Sequence, residues 1–443
     1  MKILILSHNP ITTYGNMGKT MKSLFSAFSQ NELCQLYCYP TLPDVDCCNS
    51  YFRITDLDVL HSFFQGFRVK SRTIRKDEIK PENSAFENEN DRVHYRVTKT
   101  YKRVLRDLMW KCAHWNNHAL NDWLEQEKPD CIFAAPGTPC FLYDIAMAVS
   151  SKLQIPIVAY ICDDFYFTEK KKAFWDRVQD HFLKRKMERF FSRASYGIYI
   201  CDEMKSMYSG RFGVPGSVIM TGANLVRDTI HVSPAPRTIT YMGNIGCNRY
   251  CSLAQIGETL DRINRQNGTD YQLHIYTDDR DSDIHAIFDR VQSIRCFGFL
   301  RGEAYEHTFS SSELLLHVEA FDSENIDLVR YSVSTKIPDY LASGIPVFAY
   351  GPETVASMKH LIRSDCAITA VSKEELQDAL LLALTNEEER KRVAQNGLKA
   401  AREFHNACRN SQRLRTILSD LCNGGEANLP LDAGKCDTAA GEL

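Results

Sequence analysis

The stretch "YSVSTKIPDYLASGIPVFAYGP", Tyr331 to Pro352, decides the fold. It reads as a helix with both ends marked, followed at once by a strand. Ser334 suits an N-cap, Pro338 falls in the first turn, where its missing N–H costs no helical bond, and Gly344 suits the C-terminal stop. The apolar run from Ile345 to Tyr350 is then a buried strand, so helix and strand form half of a βαβ unit. Such a helix turns Ser334, Thr335 and backbone N–H groups toward an anion. Asp339 lies one turn deeper, where its carboxylate can accept from hydroxyls. Phosphate plus diol describes a nucleotide, although a capped helix with one exposed carboxylate accounts for the same residues without any ligand.

The alternation of strand and helix extends in both directions. One series runs TITYMGN, YQLHIYT, SIRCFGF, ELLLHVE and IPVFAYG; an earlier one runs KILILS, LCQLYCY, CIFAAP, IPIVAYI and YGIYICD, ending near GSVIMTGAN. Two βαβ series imply two mostly parallel sheets. The joint Ser233–Arg237 holds two prolines and is the natural linker. The expected domains are therefore 1–233 and 234–405, then a C-terminal helix over 406–425 that can pack back on the first domain, then a tail over 426–443 without apolar periodicity. Between Arg68 and Asn90 the pattern lapses into charged, Asn-rich sequence, read as an insertion or loop.

The chain has 443 residues, too many for one compact core, with 44% apolar and 25% charged residues and a net charge of −3. That composition is globular, and the charge argues against general nucleic-acid affinity. The apolar strand before Ser7 is too short for a signal-peptide core, and no apolar run approaches the length of a membrane span. The expectation is a cytoplasmic protein. Cysteines are scattered, without a C-x-x-C pair; Cys34, Cys38, Cys47 and Cys48 cluster, and strand spacing assigns the first two to core packing rather than zinc.

The segment "SHNPITTYGNMGKT", Ser7 to Thr20, ends like a phosphate-binding P-loop, yet Thr13 stands where that loop needs glycine. What remains is a strand, a loop with Gly15 and Gly18, and a helix N-terminus facing an anion.

Several segments together resemble the retaining GT-B glycosyltransferases of the group 1 type, the large family four. "DYLASGIPVFA" is similar to the family stretch whose carboxylate binds the nucleotide ribose, and puts Asp339 at that position. "GNIGCNRY" resembles the donor motif, setting Asn244 on the usual arginine and Arg249 on the usual lysine that bind the diphosphate. "ICDEMKSMYSGRFGVPGSVIMTGAN" resembles a further family passage, and Gly15-Asn16 the N-terminal glycine loop. The resemblance implies an α/β GT-B fold, two Rossmann-like domains with parallel sheets facing a central cleft. It also implies transfer of a sugar from a nucleotide diphosphate sugar to a saccharide or lipid-linked acceptor. The implied donor-binding residues are Gly15, Asn16, Gly243, Asn244, Arg249, Ser334, Thr335, Lys336 and Asp339. An epimerase of the same fold and a non-catalytic relative stay open.

The departures carry weight too. Tyr331 stands where the family has its first carboxylate, with Glu324 and Asp327 just upstream as substitutes. With Asn244 in place of arginine, Arg249 and helix N-termini are expected to neutralise the diphosphate, with no metal or other cofactor. Asp163 and Asp164 follow the buried strand IPIVAYI, at the edge where parallel sheets place ligands, and are candidates to orient the acceptor. The acidic run "YTDDRDSD" reads as a solvated loop. Across Lys170 to Arg193, nine basic residues face three acidic ones, interleaved with aromatics. That helix suits peripheral contact with an anionic membrane, and equally suits packing of its aromatic face into the first domain.

Overall fold

The computed structural model describes residues 1–12, 16–64, 69–80, 100–168, 173–223, 226–279, 281–300 and 302–425. They fall into two compact units. Met1–Thr221 and the segment from Ala407 form the first, and Gly222–Asn406 the second.

In the first unit, apolar five-residue runs with both faces covered make the central strands β1 (Ile3–Ser7), β2 (Leu33–Tyr37), β5 (Cys131–Ala135) and β6 (Ile157–Ile161), every residue of them buried. Between β2 and β5 lie β3 (Ser50–Arg53) and β4 (Arg72–Ile74); after β6 come β7 (Ala194–Tyr199) and β8 (Gly216–Val218). The sheet order is β4-β3-β2-β1-β5-β6-β7-β8. All neighbours run parallel except β3 and β4. The segment read from Arg68 as an insertion thus contributes an antiparallel edge strand. Its residues 81–90 lie outside the described ones, as does the tail from 426.

The second unit carries β9 (Thr238–Met242), β10 (Gln272–Tyr276), β11 (Ile294–Phe297), β12 (Leu314–Val318), β13 (Val347–Tyr350) and β14 (Ile368–Ala370). Their order is β11-β10-β9-β12-β13-β14, all parallel. Each sheet reverses its direction of growth once, between β1 and β5 and between β9 and β12, and ligands of open parallel sheets bind at the carboxyl ends of such strand pairs. Among the described residues no helix is long and apolar enough to cross a membrane.

The Ser233–Arg237 joint is held inside the second unit rather than strung between units. The fully buried Arg390 donates to the carbonyls of Ser233 and Pro234 at 3.1 and 2.9 Å. Glu313 accepts from Ser233 Oγ and from the backbone N–H groups of Arg237 and Thr238. The chain passes between units at Thr221/Gly222 and Asn406/Ala407. The last helix, Ala407–Cys422, packs on helix Asn16–Leu24, with Arg415 donating to both oxygens of Glu32 at 2.6 and 2.9 Å.

The loop after β1 explains its glycine. A Cβ on Gly18 would lie 2.7 Å from Thr12 N and 2.8 Å from Thr12 O, so the helix can approach the preceding loop only without a side chain there. Gly15 lies outside the described residues, and Asn16 opens the helix. Gly18→Ala should destabilise the protein by about 1–3 kcal/mol, the usual cost of overpacking, and lower the melting temperature by several degrees. Gly210→Ala, in a helix with open space around the new methyl group, should hold or raise it. A scan of both variants by calorimetry checks the contrast.

Candidate functional site

The ladder between β9 and β12 stops after Ile239–Leu314 and Thr240–Leu315, while both strands continue, to Met242 and Val318. This is the point where the sheet changes direction, which in open parallel sheets is where a ligand crevice lies. On the β9 side the chain leaves through Gly243, φ +144°, into the loop 244–248. Asn244 Oδ1 accepts from Gly246 N at 2.6 Å, and Tyr241 donates to the Asn244 carbonyl at 2.6 Å. Cys247 and Asn248 both take left-handed backbone angles, and helix Arg249–Asn267 begins. Asn244 therefore shapes the loop through its side chain.

From the β12 side His317 and Glu319 enter the same crevice, both almost wholly buried. Glu319 Oε2 accepts from Arg249 Nε at 3.0 Å and from Nη2 at 2.9 Å. Burial pushes the Glu319 carboxyl up, and Arg249 and Lys336 pull it back. A pair of this geometry is ionised, since the carboxylate field holds the Arg249 guanidinium above its ordinary value against desolvation. His317 Nε2 lies 3.5 Å from Glu319 Oε1, and neither ring nitrogen has a hydrogen-bond partner. Burial, then Lys336 and Arg249, hold this imidazole well below its usual range, so it is neutral.

Lys336 completes the group from the α side. It is half-buried as a residue, yet its Nζ lies 4.1 Å from the centroid of the Tyr241 ring, and a Cβ on Gly243 would sit 2.6 Å from it. Desolvation first, and Arg249 second, lower its ammonium to about 7, with Glu319 opposing. Lys336 is thus a cation poised between charged and neutral near physiological pH.

Of the residues expected from sequence, the structure brings together Gly243, Asn244, Arg249 and Lys336. Ser334, Thr335 and Asp339 lie on the same segment as Lys336. Two corrections concern how the anion would be met. Helix Ile337–Ala342 starts later than read, with Lys336 at its N-cap; Ser334 accepts from Ile337 N through its carbonyl, so it opens a preceding turn instead of capping. Gly344, φ +70°, ends the helix as its sequence predicts. The first-turn N–H groups of helix Arg249–Asn267 are also taken. Those of Arg249, Tyr250 and Cys251 donate to the carbonyls of Gly246, Ile245 and Asn248. Side-chain charge, not a bare helix end, is what this crevice offers an anion.

Arg249 is likewise tied to Glu319 rather than projecting alone. Glu319, His317 and Tyr241 were not read from sequence, although a histidine and a glutamate inside the apolar run ELLLHVEAF were the available signal. Asp327 pairs with Arg330, whereas Glu324 is exposed in the first turn of helix Ser323–Val329. The N-cap of that helix, Asp322, accepts from Asn248 at 3.1 Å. Asp339 is half-buried and close enough to Tyr305 to add to the burial that raises its phenol.

In the first unit, Asp164 is buried and fully engaged. Its Oδ1 accepts from the N–H groups of Tyr166 and Phe167, both at 3.0 Å, and from Tyr208 Oη at 2.8 Å, while Oδ2 accepts from Thr168 Oγ1. That carboxylate anchors the loop after β6, with most of its hydrogen bonds spent within the protein. Asp163, beside it, is exposed.

The two cations of the crevice should behave differently when removed. Arg249→Met leaves Glu319 buried without its closest partner and should cost about 3–5 kcal/mol, as breaking buried pairs does. Lys336→Met keeps the volume, removes a desolvated charge and leaves the Arg249–Glu319 pair intact, so it should be neutral or mildly stabilising. Urea unfolding of both variants at pH 7 provides the measurement.

Residues 257–419 match a family model described as "Glycosyl transferase-like". No curated protein matches the chain in sequence. Among solved structures it resembles Anabaena Alr3699/HepE in complex with UDP, with a TM-score of 0.61 and 10% identity over 95% of this chain and 100% of that one. WaaG, a glycosyltransferase involved in lipopolysaccharide biosynthesis, has a TM-score of 0.54 and 13% identity over 96% and 100%. A putative UDP-N-acetylglucosamine 2-epimerase from Listeria monocytogenes has a TM-score of 0.54 and 13% identity over 97% and 98%. Most of the second unit is thus similar in sequence to the glycosyltransferase-like family, and the chain as a whole has the two-sheet α/β fold of the GT-B glycosyltransferases.

Proposed function

We propose that the protein transfers a sugar from a nucleotide diphosphate sugar to a hydroxyl of a polysaccharide, lipopolysaccharide or lipid-linked saccharide, with retention of anomeric configuration and without a metal. The observation that carries this reading is the Lys336–Arg249–Glu319 cluster at the β9/β12 switch point. With Lys336 protonated it has one net positive charge, held in a desolvated crevice lined by a loop that Gly243 allows to come close. Charge developing on a departing diphosphate is stabilised most by such preorganised cations. The UDP found in a structure of the same fold supports a nucleoside diphosphate as the anion.

The residues divide the work. Lys336 neutralises the diphosphate, and Glu319 holds Arg249 at the start of its helix so that both cations stay in place. Asp339 accepts from the ribose. Glu324 supplies the carboxylate that Tyr331 cannot, since Asp327 is held by Arg330 and Glu324 belongs to the helix tied to the donor loop through Asp322 and Asn248. Asp163 is the first-unit candidate to orient the acceptor. In the reaction the bond from the anomeric carbon to the diphosphate breaks, one to the acceptor oxygen forms, and the proton of the acceptor hydroxyl leaves with the diphosphate.

The resemblance in fold to an epimerase supports a second reading, in which the donor is altered with no acceptor. Interconversion of nucleotide sugars in the absence of a second substrate would favour it. A protein that binds nucleoside diphosphate but neither transfers, hydrolyses nor interconverts the sugar would instead be a non-catalytic relative.

The charge state of Lys336 makes the donor reading testable. An anion stabilises the protonated lysine, so the bound pKa lies above the free value of about 7. Affinity for UDP should then be flat with respect to this group below pH 7 and fall by up to about tenfold per pH unit above it, until the bound pKa is reached. Calorimetry near pH 8 should show proton uptake on binding, and Lys336→Met should abolish both the uptake and the slope. An unchanged slope in that variant would remove Lys336 from the diphosphate site.

A turnover assay tests the remaining assignments. Transfer should persist in EDTA, and Glu324→Gln should lower kcat at least about tenfold while Asp327→Asn stays near the parent. Rescue by Mn²⁺ or Mg²⁺ after loss in EDTA would place a metal in the reaction.

A further inference from the structure

We infer that Tyr37, Arg53 and Arg72, which form one row across the first sheet, bind an oxyanion, the carboxylate or phosphate group of an acidic acceptor saccharide. The row follows from strand register. Tyr37 ends β2 and pairs with Arg53, which ends β3, and Arg53 lies directly opposite Arg72, which opens the antiparallel strand β4. Residues paired in this way project from the same face of a sheet whose strands are about 4.8 Å apart, so a phenol and two guanidinium groups stand side by side. Ser7 pairs with Tyr37 in turn and continues the row to the reversal between β1 and β5. The row therefore lies along the carboxyl ends of the parallel strands, the edge where such sheets receive ligands.

The protein does not satisfy these groups by itself. Like charges directly opposite on paired strands repel, and Glu78, 3.0 Å from Arg72, is one carboxylate against two guanidinium groups. Arg53 has no carboxylate within ion-pair distance among the described residues. Its Nη1 donates to the Pro40 carbonyl at 2.6 Å, which fixes the guanidinium, while its buried Nε has no partner. Tyr37 is wholly buried, and its hydroxyl has no hydrogen-bond partner either. Burial pushes that phenol up, with Arg53 and Arg72 pulling it back, so the hydroxyl keeps its proton and is a donor. An unpartnered buried hydroxyl beside an unpaired guanidinium is costly unless a ligand completes it.

Exposure rises along the row from Tyr37 through the half-buried Arg53 to the exposed Arg72, so an anion enters from the Arg72 end. The segment that carries Arg72, Val69 to Lys80, has five basic residues and two acidic ones, which favours the approach of negative charge. Guanidinium groups hold carboxylates and phosphates through paired, charge-assisted hydrogen bonds, and the phenol adds a further donor. The row shares no residue with the Lys336–Arg249–Glu319 cluster. The oxyanion site stands on its own residues, whereas its assignment to the acceptor rests on the transferase reading.

Calorimetric titration of the full chain with glucuronate, glucose 6-phosphate and inorganic phosphate, against glucose as a neutral control, tests the site. An anionic sugar should bind and glucose should not; binding of glucuronate makes the group a carboxylate, and binding of glucose 6-phosphate makes it a phosphate. UDP should not compete. Arg53→Gln should weaken the anion by about ten- to a hundredfold, the loss of a charge-assisted bond. Tyr37→Phe should weaken it about tenfold while the melting temperature holds or rises, because the removed hydroxyl has no partner in the free protein. A hydroxyl with a structural role only would show the reverse, a lower melting temperature and unchanged affinity. Failure of both anionic sugars to bind, competition by UDP, or unchanged affinity in both variants overturns the inference. Anion binding that follows the variants in a protein that transfers no sugar would keep the site and remove the acceptor, whereas transfer to neutral saccharides with no anion bound would remove the site and keep the transferase.

Discussion

A carboxylate buried between two cations organises the second unit. Glu319 at the end of β12 receives Arg249 from the start of one helix, while Lys336 approaches from the start of another. Each charge would be costly alone in this crevice, and together they leave one excess positive charge that a bound anion can complete. The backbone follows from that arrangement. β9 and β12 separate after two paired positions to admit the side chains, Gly243 has no Cβ where Lys336 lies, and Asn244 folds the loop so that Arg249 can turn back toward Glu319.

The corresponding point of the first unit is built the opposite way. At the end of β1, His8 is lowered to about 4 by burial and by Arg106, so it is neutral and accepts from that guanidinium at 2.7 Å. Arg106 also donates to Asp56 at 2.9 Å, as does Trp110 at 2.7 Å, and Trp110 stacks on Phe141 with centroids 3.9 Å apart. Asp164 closes the loop after β6 in the same self-satisfied manner. Polar networks with every member paired make rigid frames. The second unit's switch point has an incomplete network instead, with neither ring nitrogen of His317 hydrogen-bonded and Lys336 lowered by desolvation to about 7.

Much of the fold was legible in the residues themselves. Long apolar runs such as KILILS and CIFAAP can only be strands covered on both faces, and their alternation with helical patterns dictates parallel sheets. Gly344 had to follow a helix, because its backbone angle and the nearby Thr229 carbonyl exclude a side chain. The strands SYFR and RTI escaped notice because they are short and partly exposed, RTI at the sheet edge, and their polar residues resemble loop. Arg249 was picked out by its place in a segment that resembles a family motif, whereas Lys336 and Asp339 lie on a segment whose helix start could be read from its own residues.

Sequence by itself therefore determined the two parallel sheets, the segments that meet at their carboxyl ends and the kinds of charge available there. Tertiary structure alone decided which of those charges are consumed by partners within the protein. Asp164 and Arg249 look equivalent to Asp163 and Lys336 along the chain, yet Asp164 is enclosed by four donors and Arg249 is tied to Glu319. The reason is physical: a side chain's type is local, but its ionisation and its free hydrogen bonds depend on partners brought from distant strands, as Glu319 is brought to Arg249 across seventy residues of chain.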